Sequence, residues 1–316
     1  MAQLLTVPTP PPPVSTRPVL PRKRRRRARE TLTAYAFVAP SLFGVVAFLL
    51  LPVLIVAVLS LFDWKLLATP EFVGLANYER LFADGGIGHS LLVTIAYVVL
   101  TIPVQTALAL LLALLLNQRV RGVKIFRAMF VLPWMATPVV MGLVWGWIFD
   151  PANGAVNSFL EIFGIEGPSW LSSPGLALPA VAATQVWQFA GYNMLFFLAG
   201  LQTIPKDFYE AATLDGASPV RQFFAITLPL LRPTLFFVLV TNVIGSFQVF
   251  DTVFVMTNGG PGNSTEVINY TIYQTAFRQF EFGYASAIAM VLFLIILAVT
   301  MAQVRYFNRT TTYDLT

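Results

Sequence analysis

The sequence has no cysteine and only one histidine, His89, among its 316 residues. Without cysteine, the chain cannot form disulfides, thiolate metal sites or a cysteine nucleophile. A lone histidine excludes a bis-histidine haem and most zinc sites built within one chain. These absences predict no metal site and no cysteine-based catalysis in this chain.

Charged residues are also scarce, at 11% of the chain against 57% hydrophobic residues, whereas soluble domains carry about 25% charged residues. Runs without Asp, Glu, Lys or Arg cover 31–62, 90–118, 128–149, 167–205, 233–250 and 282–304. Each run is long enough, or nearly so, for the roughly 20 residues with which a helix spans a bilayer. These runs are too long and too apolar for barrel strands, and an open backbone cannot be satisfied in lipid. The sequence therefore predicts an all-α integral membrane protein.

Six transmembrane helices are predicted, at about 36–62, 90–116, 128–149, 177–201, 232–255 and 284–305. The basic residues predict their orientation. With a cytoplasmic N-terminus, 17 of the 20 Lys and Arg residues lie inside, and only Lys65, Arg80 and Arg278 lie outside. By the positive-inside rule, both termini are cytoplasmic.

Residues 1–34 are predicted to form a disordered, proline-rich and basic cytoplasmic tail. The net charge of +5 comes largely from this tail, since Arg17 and the 22–29 segment supply eight basic residues. Directly before an apolar run, such a cluster indicates membrane orientation and anionic lipid rather than nucleic acid. A secretory signal peptide is the alternative, but the first apolar run exceeds the 7 to 15 residues of a signal core. The membrane domain is predicted at 35–306 and a cytoplasmic C-terminal tail at 307–316.

Lysine is rare, and none of Lys23, Lys65, Lys124 and Lys206 follows a glycine. A P-loop needs that glycine, so the chain has no Walker A motif, and any energy from ATP should come from another polypeptide. Asp251 is the only acidic residue within a proposed span, so a carboxylate relay for protons or sodium is missing too. A secondary transporter or channel for a small polar solute is nevertheless one candidate function for such a membrane protein.

The connection between the fourth and fifth spans, 204–233, is predicted to fold as two short helices. Pro205 suits the start of the first helix, and Gly216 suits the left-handed residue that ends it. Ser218 and Pro219 suit the N-cap and first residue of the second helix, which is expected to end before Pro229. The loop is therefore a folded helix-turn-helix on the cytoplasmic face.

The loop also carries a motif, since Glu210-Ala211-Ala212 precedes Asp215-Gly216-Ala217, and Ile226, Leu228 and Pro229 follow. This pattern resembles the E-A-A, D-G-A, I-x-L-P loop of permease subunits of binding-protein-dependent ABC importers. Segments 72–78, 198–205, 257–265 and 283–287 resemble the first permease of carbohydrate importers of the maltose and glycerol-phosphate types. The resemblance covers about 35–306.

In that family the loop is the coupling helix that fits a groove on the cytoplasmic ATPase. The resemblance assigns coupling to Glu210, Ala211, Ala212, Asp215, Gly216 and Ala217. It implies as partners a second homologous permease, two copies of the ATPase and an extracytoplasmic solute-binding protein, with membrane lipid around them and no nucleic acid. It also implies no cofactor in this chain, since ATP and Mg would bind the ATPase, and a multi-pass location in the cell inner membrane. The alternative is an amphipathic connector lying on the membrane, which the acidic side chains of Asp207, Glu210 and Asp215 disfavour.

Uncharged hydrogen-bonding residues and aromatic rings cluster in the fourth and fifth spans, and such groups suit hydroxyl-rich ligands. The candidate substrate-binding residues are Gln185, Gln188, Phe189, Tyr192, Asn193, Asn242, Ser246 and Gln248. In maltose-type relatives the first permease holds the sugar largely on these two helices. The alternative is that these amides bond helix to helix. The lack of basic residues within the spans favours a neutral sugar over a phosphorylated polyol, although an arginine of the partner permease or a helix N-terminus could hold a phosphate.

Overall fold

A computed structural model of the chain describes residues 24–66, 68–118 and 122–310. Most of the predicted tails, 1–34 and 307–316, therefore lies outside the described residues. The first helix, α1 (Arg24–Val45), begins within the predicted N-terminal tail and well before the expected start near residue 36. Arginine is a good helix former, which fits a helix that continues into the basic cluster.

The chain divides into two compact units after Leu54. Helix α1 leads through a π-helical stretch, Val46–Leu50, into α2 (Leu51–Leu59), and the boundary between the two units falls within α2. The apolar helix Thr33–Leu59 has a mean hydropathy of 3.1, and none of its most apolar window is buried within the structure. A helix that is apolar on every side, and whose most apolar window has no fully buried residue among those described, is suited to a membrane.

The second unit is helical apart from one pair of two-residue strands among its described residues. Its strands are β1 (Phe62–Asp63) and β2 (Glu71–Phe72), which pair antiparallel. Its further helices are α3 (Ala76–Ala83), α4 (Gly85–Leu116), α5 (Val123–Met135), α6 (Pro138–Ile148), α7 (Ala155–Glu161), α8 (Ala177–Thr203), α9 (Lys206–Leu214), α10 (Pro219–Gln222), α11 (Leu228–Leu230), α12 (Arg232–Phe247), α13 (Asp251–Met256), α14 (Ile268–Tyr273) and α15 (Phe282–Thr310).

Helices α4 and α8 form the centre of this unit and pack along most of their lengths. In the middle of α4 and the second turn of α8, Tyr97 shares a buried cluster with Val181. Towards their ends, Ala109 and Ala113 share another with Met194 and Phe197. Small residues on one helix and large ones on the other allow close packing, which lipid-embedded helices need because apolar burial gives them little driving force.

Three described helices are long and apolar enough to cross a membrane: Thr33–Leu59, Gly85–Leu116 and Phe282–Phe307. Two bent helix pairs raise the number to five if each pair is one span. The predicted fourth span is α8, whose 27 residues are sufficient in length although its amide side chains lower its hydropathy. The all-α membrane class is confirmed, while the number of six spans and their orientation stay predictions.

The third predicted span, 128–149, is not one straight helix. Helices α5 and α6 meet at an angle of 100°. Thr137 between them is extended, with φ −66° and ψ 145°, and its hydroxyl accepts from the amide of Val140 as an N-cap. Proline disfavours helical geometry in the residue before it, so Pro138 ends one helix and begins the next. We call residues 136–137 the elbow.

The fifth predicted span, 232–255, is also divided. Helix α12 ends at Phe247, and α13 starts at Asp251 after Phe250, whose φ of −147° is not helical. At its other end, α12 bends by 67° from the 219–230 helix that precedes it. Helices α12 and α13 are therefore each shorter than the span of 232–255 that the sequence predicts.

Candidate functional site

The first helix of the 204–233 loop, α9, ends in the turn that the sequence predicts. Gly216 is left-handed, with φ +78°. The amide of Ala217 donates to the carbonyl of Ala212 at 2.9 Å, and the amide of Gly216 donates to the carbonyl of Thr213 at 3.0 Å. These two bonds define a Schellman motif, which needs a residue that tolerates positive φ.

The second helix of the loop begins as predicted but ends later. The hydroxyl of Ser218 caps it and Pro219 is its first residue. The helix then continues through Pro229 to Leu230, so the predicted end before Pro229 is wrong. Residues 223–227 form a π-helical stretch directly before this proline. A π turn is wider than an α turn, and we attribute the tolerance of the Pro229 ring to this widening.

Side-chain bonds hold the two loop helices together. The amide of Gln222 donates to the hydroxyl of Thr213 at 3.1 Å and to the carbonyl of Ala217 at 3.0 Å. The hydroxyls of Tyr209 and Thr227 lie 2.9 Å apart. The helix-turn-helix is therefore fixed as a unit.

The outer surface of this loop combines the predicted coupling residues with large apolar side chains. Glu210, Ala211, Asp215 and Gly216 are exposed, and Ala212 and Ala217 are half-buried. Sequence reasoning missed their apolar neighbours, of which Leu214 is 90% exposed, Val220 66% and Phe224 62%. We call Leu214, Val220 and Phe224 the apolar patch. Large apolar side chains exposed beside polar ones indicate a contact with another protein or with the membrane.

The predicted substrate residues separate into a buried and an accessible group. The buried group is Gln188, Asn193, Asn242 and Ser246. Within it, the amide of Asn193 donates to the side-chain oxygen of Asn242 at 3.0 Å and so joins α8 to α12. The side-chain nitrogen of Asn242 has no hydrogen-bond partner among the described atoms. This hydrogen bond links the two helices, and the side-chain nitrogen of Asn242 remains an unused donor.

Gln188 lies at the elbow. Its amide nitrogen donates to the backbone carbonyl of Ala136 at 3.0 Å, while its buried oxygen has no partner among the described atoms. The carbonyl of Ala136 belongs to no helical ladder, so this bond satisfies a group that the bend leaves open. One turn further along α8, Gly191 faces the backbone carbonyl of Phe130 so closely that a Cβ atom would clash with it. Helix α8 thus holds α5 and the elbow in place.

The accessible group is Gln185, Phe189 and Tyr192, which are half-buried, and Gln248, which is exposed beyond the end of α12. The ring of Tyr192 stacks on that of Trp134, with centroids 4.3 Å apart and planes 9° apart. Phe196 contacts both Tyr192 and Phe237 of α12. Sequence analysis did not place Trp134 among the candidate residues, although the four-residue spacing of Tyr192 and Phe196 does predict an aromatic face on α8.

Within the described residues, no group of three or more acidic, histidine or cysteine side chains is placed to hold a metal ion. The arrangement instead offers amides, hydroxyls and aromatic faces, which recognise uncharged polar ligands by hydrogen bonding and stacking.

A family model described as "Binding-protein-dependent transport system inner membrane component" matches residues 75–313. The chain is 36% identical over 285 residues to the probable ABC transporter permease protein YesP of Bacillus subtilis, covering 89% of this chain and 92% of that protein. It is 34% identical over 278 residues to the trehalose/maltose transport system permease protein MalF of Thermococcus litoralis, covering 88% and 94%. To the sn-glycerol-3-phosphate transport system permease protein UgpA of Agrobacterium fabrum it is 39% identical over 244 residues, covering 77% and 83%.

Among solved structures, the fold resembles a chain of a bacterial ABC transporter involved in the import of the acidic polysaccharide alginate. The TM-score is 0.79 at 21% sequence identity, and the match covers 91% of this chain and 99% of that chain. At this identity the likeness concerns the fold alone.

Proposed function

Because the chain belongs to the family of inner-membrane components of binding-protein-dependent transport systems, we propose that it carries a sugar or related polyol from an extracytoplasmic binding protein into the cytoplasm. The chain is a multi-pass permease of the inner membrane and not the ATPase. The rigid loop with its exposed apolar patch is the observation that carries the proposal, since it gives a separate ATPase a surface to bind.

The coupling residues of the loop are Glu210, Ala211, Ala212, Asp215, Gly216 and Ala217. Their exposed or half-buried positions support a direct contact with the ATPase. The apolar patch extends that contact, and the bonds of Gln222 to both loop helices make it stiff. A stiff surface transmits a movement of the ATPase to α12, which follows the loop directly.

Three further partners belong to this proposal: a second, homologous permease, a second copy of the ATPase and the solute-binding protein. A sugar-sized cavity that opens alternately to two sides needs two helical bundles that move against each other, and this chain supplies one. One structure of the similar alginate transporter is of a complex with an alginate-pentasaccharide-bound periplasmic protein. ATP and Mg would be bound by the ATPase.

The substrate class rests on the similar proteins and on the accessible side chains. Similar permeases are named for trehalose and maltose, for sn-glycerol-3-phosphate and for sulfoquinovosyl glycerol, all of them polyhydroxy compounds. Gln185, Phe189 and Tyr192 are the substrate contacts that accessibility favours. We assign Gln188, Asn193, Asn242 and Ser246 to the walls of the same region, where the unpaired groups of Gln188 and Asn242 remain for a ligand or water.

The test is uptake of radiolabelled maltose, trehalose and glycerol 3-phosphate into proteoliposomes that contain this chain with its co-expressed partner subunits. Uptake should require ATP inside and the binding protein outside. Tyr192→Ala should raise the KM for the transported sugar more than it lowers the maximal rate, because stacking contributes to binding. Uptake by this chain alone, without nucleotide, would instead support a secondary transporter or channel.

A further inference from the structure

A cavity of about 330 Å³ lies between the first two turns of α4 and the N-terminal half of α15, and α3 and α14 also line it. Its walls are apolar and include Leu81, Ile87, Ile288 and Leu292. Asp84 is the only charged residue that lines it. The coupling loop lies far away, since Ile204 and Leu231 pack with Ala109 and Ala113 near the other end of α4.

The cavity extends from the membrane surface into the hydrocarbon. Helix α4 has 32 residues, about 48 Å at 1.5 Å per residue, which exceeds the roughly 30 Å of a bilayer core. Its first turn, next to Asp84, therefore lies at the surface. On α15 the lining residues reach Ile295, more than three turns below the start of that helix. A ligand in this cavity would have its polar end at Asp84 and its apolar end in one leaflet.

Charged groups of both signs lie around Tyr284, which contacts Asp84 at one end of the cavity. The carboxylate of Asp84 accepts from the amide of Gly86 at 2.8 Å and from the hydroxyl of Tyr284 at 3.0 Å. A carboxylate offers about four lone-pair sites, so about two remain open. Beside it, the guanidinium of Arg80 lies 2.8 Å from the carboxylate of Glu281 and 3.9 Å from the centre of the Tyr284 ring. About half of the Arg80 side chain is exposed.

The interior has room for a chain of methylene groups. Gly88 lines the cavity. Apart from Gly88, its two chain neighbours and the nearby backbone of α4, no atom lies within 4 Å of the place where a Cβ atom of Gly88 would stand. The volume of 330 Å³ corresponds to about ten groups of the size of a water molecule. A methylene is of similar size, so the cavity matches a large part of one acyl chain.

We propose that this cavity binds a phospholipid with a primary ammonium headgroup, as in phosphatidylethanolamine. One acyl chain fills the cavity, the ammonium donates to the open sites of Asp84, and the phosphate lies beside Arg80. A headgroup without a cation, as in phosphatidylglycerol, would leave the charge of Asp84 uncompensated next to a phosphate. A quaternary ammonium, as in phosphatidylcholine, has no N–H to donate. This inference concerns lipid and does not depend on the transported solute.

Native mass spectrometry of the full chain, purified with its partner subunits, tests the proposal. The complex is mixed with equal amounts of phosphatidylethanolamine, phosphatidylcholine and phosphatidylglycerol that have identical acyl chains. Phosphatidylethanolamine should be retained about ten-fold over the other two, the factor expected for one hydrogen bond between charged groups. Asp84→Asn keeps an acceptor for the Gly86 amide but removes the charge, and should abolish this preference.

Gly88→Leu should fill the cavity and lower the retention of phosphatidylethanolamine about ten-fold. Gly85→Leu is the matched control, since Gly85 also lies in the first turn of α4 with open space at its Cβ position but does not line the cavity. Val291→Phe narrows the cavity from α15 and replaces Gly88→Leu if that variant fails to fold. Preferential retention of phosphatidylglycerol, or wild-type retention of phosphatidylethanolamine in the folded cavity-filling variant, would overturn the proposal. So would a folded wild-type complex that retains none of the three lipids.

Discussion

At the scale of the residue, Gly216 has the best-defined task in the molecule. Its φ of +78° allows the two bonds that end α9, and no other atom crowds the position of a Cβ. The requirement for glycine is therefore one of backbone conformation and not of space. A side chain at Gly216 changes the direction in which the second loop helix leaves the turn.

We expect Gly216→Val to leave the chain in the membrane but to abolish uptake and reduce co-purification of the ATPase. A β-branched residue in the left-handed region costs roughly 1–2 kcal/mol, which a surface turn avoids by changing conformation. Gly216→Asn is the control, because asparagine tolerates this conformation. Immunoblotting of membranes, sugar uptake and pull-down of the ATPase measure the three effects. Normal transport by Gly216→Val would show that the loop is only a connector.

The bonded pair Asn193 and Asn242 gives a second prediction at this scale. Asn242→Leu leaves the buried amide of Asn193 without its acceptor, so we expect a loss of about 1–3 kcal/mol in the free energy of unfolding. The double variant Asn193→Leu/Asn242→Leu removes both partners and should lose less than either single variant. Thermal unfolding in detergent, read by tryptophan fluorescence, measures the difference. Additive losses would mean that the two amides act independently.

At the scale of the element, the 204–233 loop has a fixed shape that suits the docking proposed for it. Two capped helices, a left-handed turn and the bonds of Gln222 determine its shape before any partner binds. Preorganisation reduces the conformational entropy that is lost on binding. The apolar patch then provides the area that is removed from water.

We predict that Leu214→Ser/Phe224→Ser weakens binding of the ATPase at least ten-fold while the chain remains folded. Both side chains are more than half exposed in the structure, so the substitutions cost the isolated chain little. Phe159→Ser on α7 is the control, since Phe159 is 59% exposed but lies outside the loop. Pull-down of the ATPase over a range of concentrations gives the affinities. Equal losses in the control and the patch variant would contradict a specific contact.

The sequence predicts elements better where one signal dominates. Helix α4 is recognised because its apolar run is long and uninterrupted, and the loop because Gly216 and Ser218-Pro219 have local conformational preferences. Hydropathy does not detect the break at 248–250, since Val249 and Phe250 are as apolar as the helix before them. The elbow has a local signal in Thr137-Pro138, but a proline inside an apolar run also fits a mild kink. The bond from Asn193 to Asn242 depends on how α8 and α12 pack, which residue spacing within one helix does not specify.

At the scale of the whole molecule, topology is the main prediction. With 17 of 20 basic residues assigned inside, a reporter fused after Arg309 should be cytoplasmic, and one inserted near Asn153 should be external. Alkaline phosphatase and green fluorescent protein fusions report the two sides in opposite ways. Finding both positions on one side would contradict the six-helix topology. A fusion within the 204–233 loop is the control, because the proposed contact with the ATPase requires a cytoplasmic loop.

The elbow has a consequence for the environment around it. Where α5 and α6 meet at 100°, the last carbonyls of one helix and the first amides of the next are outside any helical ladder. Gln188 satisfies the carbonyl of Ala136 and the hydroxyl of Thr137 satisfies the amide of Val140, and hydrocarbon can satisfy none of the groups that remain. Non-helical backbone at membrane depth is tolerated where it is enclosed by protein or faces a water-filled space. The bend therefore indicates that lipid does not reach this part of the chain, and α8 shields one side of it.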